Sequence, residues 1–402
     1  MDVLTLEEEQ PLGIPRSDFD ETTALRLHQM HGERIKIEFP NPLNNHCYVL
    51  QSKGCVGQIP VSDDRLLQIL PKVPIINLFR MLEYAYNLKS FRFLDGTTGV
   101  DSLKDLFEHL VSVLVKRVLD RARKGLYRGY IREEQSLPYL RGRVLFVPSL
   151  RASMHGSARL ECEYEEHTAD LIDNRILAWT LFLLPRFGLK REDVRRQVGQ
   201  AYRAISGMVK VARLDACDCM NLLYHRLNED YRPMHGLCRF FLEHCGPGIK
   251  AGERDFIPFV LNMPALFESF VAEWLRANIP RNMYLTPQYR AGLDESGAFS
   301  FRIDLVLREV NSDRVLAVMD TKYKRHHEPE ESDIQQIVAY AVRMNTKNAF
   351  LIYPSNATKS VTLHVGDVIV RSLTFDIGIE PDEGGRLFLE KLIQMVNCTR
   401  LD

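Results

Sequence analysis

The pattern of apolar and polar positions divides the chain into three stretches. Residues 33 to 61, "ERIKIEFPNPLNNHCYVLQSKGCVGQIPV", alternate between turn residues and predict short strands joined at "NPLNN" and "SKG". "LPKVPIINLFRMLEYAYNL" then passes from prolines into a helix, with Leu78, Leu82 and Ala85 at helical spacing. "GVDSLKDLFEHLVSVLVKRVLDRARKGL" predicts a long helix, capped by Asp101 or Ser102 and ended by Gly125. A hairpin is expected in "YRGYIREEQSLPYLRGRVLF", and helices over 168–184, 190–212 and 219–245. Near residue 250 the texture changes to "HCGPGIKAGERD", rich in glycine and charge. Beyond it come the helix "MPALFESFVAEWLRANI", strands at "LTPQYRAG", "FSFRIDLVL" and "RVLAVMDTKYK", the helix "SDIQQIVAYAVRMN" and the strand "NAFLIYP". That is an α/β order. The expected architecture is an α+β multidomain fold. A β-rich region over 1–100 leads into a helix, 101–248 is mostly helical with a basic hairpin, and 249–402 is an α/β core with a mixed central sheet flanked by helices.

Composition refines this picture only a little. At 402 residues the chain is too long for one ordinary core. Its 45% hydrophobic and 26% charged residues are those of a soluble globular protein. "MDVLTLEEEQ" lacks the basic and then apolar regions of a signal peptide, and "ILAWTLFLLP" is too short to span a bilayer. The eight cysteines are scattered without regular spacing and read as reduced thiols in a cytoplasmic protein. A net charge of −1 excludes a bulk attraction to polyanions. Locally, residues 116 to 143 hold nine basic residues against three acidic ones. This stretch is either a solvated helix face or a surface for phosphate or a partner; Arg117, Arg121, Arg123, Arg141 and Arg143 are its candidate contacts.

Candidate chemistry gathers where an apolar strand ends in charge. In "RVLAVMDTKYK", Leu316, Val318, Asp320 and Lys322 share one face, since side chains alternate along a strand. In "FSFRIDLVL", Phe299, Phe301, Ile303, Leu305 and Leu307 share one face, and Arg302 and Asp304 the other. The short connection "REVNSD" makes the two strands antiparallel neighbours. If Asp304 joins the face of Asp320, two carboxylates and an amine converge. Such a pair of carboxylates favours a bound cation, and oxygen ligands suit Mg²⁺. Lysine is no ligand while protonated, but it stabilises charge developing on a phosphate. Glu268 in "ALFESFV" and Gln336 in "DIQQIVAYA" are placed to project toward this pair from flanking helices, with Gln335 an equal competitor.

The ordered set Glu268, Asp304, Asp320-Thr321-Lys322, Gln336 resembles the PD-(D/E)XK nuclease superfamily. More narrowly, the chain resembles the McrC family, the nuclease subunit of McrBC-type modification-dependent restriction systems. The residues carrying this are "PKVPIINLFRMLEYA", "LPYLRGRV", "DNRIL", "RLNEDY", "MPALFESFV", "FRIDLVL", "VMDTKYK" and "DIQQIVAYA", spread over about residues 33 to 354. The resemblance implies a C-terminal endonuclease domain cutting double-stranded DNA, with methylcytosine the expected modification. Mg²⁺, or Mn²⁺ in its place, would be held by Asp304 and Asp320; Lys322 would be the catalytic lysine and Glu268 and Gln336 auxiliary catalytic residues. It also implies that the N-terminal half docks on an McrB-like AAA+ GTPase hexamer and stimulates its GTP hydrolysis. No G-x-x-x-x-G-K-[ST] loop is present, so nucleotide binding is expected in the partner. Relatives often read Arg-Pro-Asp where this chain has Arg302-Ile303-Asp304; the missing proline is not a ligand.

Other readings remain. A non-catalytic DNA-binding or ring-regulating adaptor and a stand-alone nuclease use the same fold. Cys217, Cys219, His225, His235, Cys238, His244 and Cys245 crowd together, but their spacings fit no common zinc module and they read as helix residues. His326 and His327 read as a solvated loop, Trp179 and Trp274 as core, and Lys324 as a contact for DNA backbone without a catalytic role.

Overall fold

The computed structural model describes residues 2–62, 65–88, 102–244, 259–293, 299–324, 329–355 and 360–398. His326, His327 and Cys245 lie outside them. By their contacts the residues form two units, one of 1–106 with 256–402 and one of 107–255. The first and last of the three expected segments are thus joined in one unit rather than separate.

The chain opens with β1 (Asp2–Glu7), β2 (Pro11–Ile14), α1 (Glu21–His31), β3 (Ile35–Glu38), β4 (Tyr48–Ser52), β5 (Cys55–Pro60), β6 (Arg65–Leu70) and α2 (Ile75–Ala85). The strands at "NPLNN" and "SKG" form as expected; β1, β2 and α1 were not foreseen. Asp20 caps α1 by accepting the Thr23 amide at 3.2 Å. β2, β4 and β3 make one antiparallel sheet. β1 pairs parallel with β6, and β6 antiparallel with β5. Ala24, Ile35, Leu50, Ile59, Leu67 and Ile69 are fully buried between these elements.

The second unit holds most of α3 (Leu103–Lys124), then β7 (Gly129–Leu137), β8 (Arg143–Val144), α4 (Phe146–Met154), β9 (Leu160–Thr168), α5 (Ile172–Leu183), α6 (Glu192–Ser206) and α7 (Tyr231–His244). Ser102 caps α3, accepting the Asp105 amide at 3.2 Å. The expected hairpin does not form. β7 and β8 do not pair with each other; each pairs with β9, which lies between them. Gly142 explains the path: its φ is +67°, and a Cβ there would stand 2.4 Å from the Glu163 carbonyl oxygen of β9. The helix expected over 219–245 begins only at Tyr231, after turns that include Asn221 at φ 60°. The blocks "DNRIL" and "RLNEDY" meet in a buried network. Asn174 donates to Tyr127 O (2.9 Å) and Ala169 O (2.7 Å) and accepts from the Tyr231 hydroxyl (2.7 Å). Asn228 donates to Asp173 at 3.1 Å. Buried polar groups need such partners, so these residues specify the packing of α5 against α7.

The first unit resumes with β10 (Phe259–Asn262), α8 (Met263–Asn278), β11 (Met283–Gly292), β12 (Ser300–Glu309), β13 (Val315–Thr321), α9 (Glu331–Arg343), β14 (Asn348–Tyr353), β15 (Thr362–Val365), β16 (Val368–Thr374) and α10 (Pro381–Cys398). β10 pairs with β5 and completes the sheet begun by β1. The others form a mixed sheet in the order β11-β12-β13-β14-β16-β15, antiparallel up to β13 and parallel from β13 through β14 to β16. β15, β16 and α10 had no counterpart in the sequence reading. β14 is buried along its whole length, as expected for a parallel strand covered on both faces. α9 packs through Ile337, Tyr340 and Ala341 on Val306, Val318, Ala349 and Leu351. Phe301 lies edge-to-face on Tyr340, and Ile303 joins that cluster. The strict alternation predicted along β12 is therefore lost at its start, where the ladder to β13 has ended.

Trp274, 1% exposed, anchors α8. Its ring meets Phe375 edge-on at 5.3 Å, and its indole N–H donates to Asp382 at 2.8 Å. Trp179 is only half-buried and stacks on Phe182. Among the described residues no helix is long and apolar enough to cross a membrane. Trp274→Ala removes a large side chain and its hydrogen bond, so unfolding in urea should show this unit destabilised by about 3–5 kcal/mol. A loss below about 1 kcal/mol would mean that α8 is anchored elsewhere.

Candidate active site

The ladder between β12 and β13 ends at the pair Leu305↔Met319. One step further, Asp304 falls opposite Asp320. The ladder stops there because the Asp304 carboxylate takes the place of a backbone acceptor. Its Oδ2 accepts the Thr321 amide at 2.9 Å and the Thr321 hydroxyl at 3.0 Å. The strands part at this point, and the opening is lined by the groups predicted from alternation. β13 continues to be held on its other side, where the Lys322 amide donates to Ile352 O at 2.8 Å.

Asp320 is 2% exposed. Lys322 Nζ stands 2.7 Å from its Oδ2. The contact is an ion pair without hydrogen-bond alignment, so Oδ2 remains a buried oxygen with no hydrogen-bond partner. Burial first, then the nearby Asp304 charge, pushes the Asp320 carboxyl up to about 6 against the pull of Lys322. Glu268 projects from α8 into the same field. Its Oε1 is buried and unpartnered, and burial, then Asp304, pushes its carboxyl up to about 7, with Arg302 opposing and Asp320 adding. Lys322 also donates to Gln336 Oε1 at 2.9 Å, while Gln336 donates to the Tyr340 hydroxyl at 2.6 Å. Gln335 instead bonds Glu331 on the exposed side, which decides between the two glutamines. Burial lowers the Lys322 ammonium, but Asp320 and Asp333 outweigh it and leave it above its ordinary value.

Further neighbours complete the site. Asp333, 4% exposed on the first turn of α9, reaches Lys322 Nζ at 3.3 Å and Lys324 Nζ at 3.0 Å. Its one sequence signal is a D-x-x-Q spacing, which puts it on the Gln336 face of the helix. Lys324 pairs also with Glu330 at 3.0 Å, so its charge is committed within the protein. Between the lysines, Tyr323 turns the other way. Its ring lies beneath Lys72 Nζ (3.9 Å to the centroid), and its hydroxyl donates to the fully buried Glu8 at 3.2 Å. The "DTKYK" strand end is thereby tied to the start of the chain.

Among the described residues no three His, Cys, Asp or Glu groups are placed to hold a metal between them. What the site offers a cation is the Asp304–Asp320 pair, completed by water, a donor set that fits Mg²⁺. The unbonded Asp320 oxygen and the mutual repulsion of the pair are the features a cation would relieve. Among the described residues the cluster near Cys219 offers nothing comparable. His235 spends both ring nitrogens on Tyr224 and Asp173 O, each at 2.9 Å, and burial pushes the Cys238 thiol up to about 12.

The basic residues of the second unit have separate surroundings within it. Arg121 pairs with Asp230 and lies over Tyr231, Arg123 pairs with Asp120, and Arg141 stacks at 3.7 Å on Tyr164. Arg117 is exposed on α3. Arg143 reaches Glu163 only at 3.9 Å and is 80% exposed, the most outward of those seen in ion pairs.

Glu268 yields a test of the electrostatics without any metal. Its folded value lies above the ordinary 4.5, so the protonated form favours folding. That contribution is whole below pH 4.5 and is lost as pH rises through about 7. Glu268→Gln should therefore leave metal-free stability unchanged near pH 4 and raise it at pH 8 by on the order of 2–3 kcal/mol. Urea unfolding curves at the two pH values that move in parallel would show the burial of Glu268 to be without effect.

Against known proteins, the family described as "McrBC 5-methylcytosine restriction system component" matches residues 50–354. The chain is 25% identical over 264 residues to the type IV methyl-directed restriction enzyme EcoKMcrBC of Escherichia coli (strain K12), covering 63% of this chain and 74% of that protein. It also superposes on a chain from the refined half-complex of Thermococcus gammatolerans McrB AAA+ hexamers with bound McrC, with a TM-score of 0.56. That match covers 97% of this chain and all of the other at 20% identity, and speaks to the fold alone. With a match over well more than half its length, this chain belongs to the McrBC 5-methylcytosine restriction system component family.

Proposed function

We propose that this protein is the DNA-cleaving subunit of an McrBC-type restriction system, a Mg²⁺-dependent endonuclease with a PD-(D/E)XK core. The observation that carries this reading is the meeting of Asp304, Asp320 and Lys322 where β12 and β13 part. A bound Mg²⁺, held by Asp304 and Asp320, would polarise a phosphodiester oxygen and lower the pKa of bound water. Lys322 would stabilise the charge that grows on the phosphate as water's oxygen bonds to phosphorus and the ester oxygen leaves. Gln336 fixes the lysine's direction. Glu268, with its carboxyl near neutrality, is placed to exchange a proton with water at the same opening.

The partner in this reading is an McrB-like AAA+ GTPase hexamer, whose GTP hydrolysis the chain would stimulate. The second unit supports such docking by its surface. Phe146, Val147, Leu150 and Met154 are 58–87% exposed and share one face of α4, while Ser149 is its one buried residue. Leu140 and Tyr139 are exposed beside them in sequence. Apolar side chains at helical spacing facing water mark an interaction face. Double-stranded DNA, carrying methylcytosine, would be the substrate, with its choice left to the partner.

In a complex reconstituted with the McrB-like partner, GTP and Mg²⁺, Asp320→Ala should cut methylated DNA at least about a thousandfold more slowly while stimulating GTP hydrolysis as wild type does. Cleavage at the wild-type rate would remove Asp320 from the site. The double change Phe146→Asp/Leu150→Asp should have the opposite effect, abolishing co-elution with the partner while Mn²⁺ binding persists. Unaltered co-elution would place the docking face elsewhere.

A further inference from the structure

Lys322 sits among three oxygens: Asp320 Oδ2 at 2.7 Å, Gln336 Oε1 at 2.9 Å and Asp333 Oδ1 at 3.3 Å. Two of the three are carboxylates, and they have different surroundings. Asp320 faces Asp304 across the opening and is the oxygen donor a cation would draw on. Asp333 lies on α9, where its other oxygen holds Lys324 at 3.0 Å. It has no part in the Asp304–Asp320 pair. A cation beside Asp320 would repel the Lys322 ammonium over a few ångströms and compete with it for the same carboxylate. A lysine whose one anion was Asp320 would have to leave the site or resist the cation. Burial makes either outcome costly.

We propose that Asp333 is a positioning residue that keeps the Lys322 ammonium in place while Asp320 turns to a divalent cation. The proposal rests on Asp304 and Asp320 being the cation's ligands. Asp333 makes the lysine and the cation compatible, since it supplies the second negative charge that the lysine needs. Lys324 and Glu330 secure Asp333 in turn. Lys324 donates to both Asp333 oxygens, at 3.3 and 3.0 Å, and pairs with Glu330 at 3.0 Å. The second lysine of "DTKYK" thus acts through Asp333, not on substrate.

Calorimetric titration of Mn²⁺ into the full-length protein tests this without recourse to cleavage. Asp333→Asn should weaken Mn²⁺ binding about five- to tenfold, because the lysine then clings to Asp320. Adding Lys322→Met to Asp333→Asn should restore the affinity, because the competitor is gone. A purely structural role for Asp333 predicts no such rescue, and finding none overturns the proposal, as does an unchanged affinity in Asp333→Asn. Asp333→Glu, which keeps the charge, should hold wild-type affinity. It carries the test if the asparagine variant does not fold, and a tenfold loss there counts against the assignment. Wild type binding no Mn²⁺ at all would remove the metal site itself and this role with it; wild type and Asp333→Asn binding alike removes this role only.

Discussion

Two carboxylates opposite each other at the end of a buried strand set the terms for the rest of the first unit. Asp304 and Asp320 repel, and the interior around them magnifies that repulsion. The protein answers it with oppositely charged and hydrogen-bonding groups taken from separate parts of the chain. Thr321 binds one oxygen of Asp304, and Lys322 stands against Asp320. Asp333 and Gln336 on α9 then hold the lysine. What remains unsatisfied is informative. Asp320 Oδ2 and Glu268 Oε1, two of the buried oxygens left without hydrogen-bond partners, belong to this opening. Polar groups are seldom buried without partners, and an opening lined by acidic ones is suited to a cation.

A rigid mount is needed for such an arrangement of like charges to persist. β13 has β12 on one side and β14 on the other, and Val318 and Met319 just before the charges are fully buried. Tyr323 adds a tie on the opposite side, to Glu8 and Lys72. Burial pushes the Glu8 carboxyl up to about 7 despite Lys72. A group so placed destabilises the fold when charged, so its retention beneath the "DTKYK" strand is a cost borne at the back of the site as well as its front.

How much of this could be read from the sequence follows from how local each feature is. The Asp320–Lys322 face needed only the period of a strand, and Gln336 only a helix with one apolar side. Asp333 was hidden because an acidic residue in the first turn of a helix is ordinary, and its two lysines are reached through a fold. Residues 127–146 do not form the expected hairpin for a similar reason. Pro138 and Gly142 do mark turns, but they carry the chain across β9 rather than back along β7, and β9 lies later in the sequence. The union of 1–106 with 256–402 includes the pairing of β10 with β5, the packing of α2 on α8 and the Tyr323–Glu8 hydrogen bond, and no periodicity reports contacts between such distant segments.

The blocks that carry the family likeness divide by physical role. Asn174, Asn228 and Tyr231 are internal and satisfied by one another or by backbone, so their place in "DNRIL" and "RLNEDY" follows from packing. Gly142 in "LPYLRGRV" answers to backbone geometry, whereas its neighbour Arg143 is nearly free of the protein. The apolar face of α4 follows directly after that block. A chain of net charge −1 has little long-range pull on polyanions. In the proposed docking, the exposed apolar side chains of α4 would contribute more than long-range charge. In the proposed reading, attachment would lie in the second unit, while the acidic opening is in the first. DNA would then be brought to the acidic opening by the partner more than by this chain's own charge.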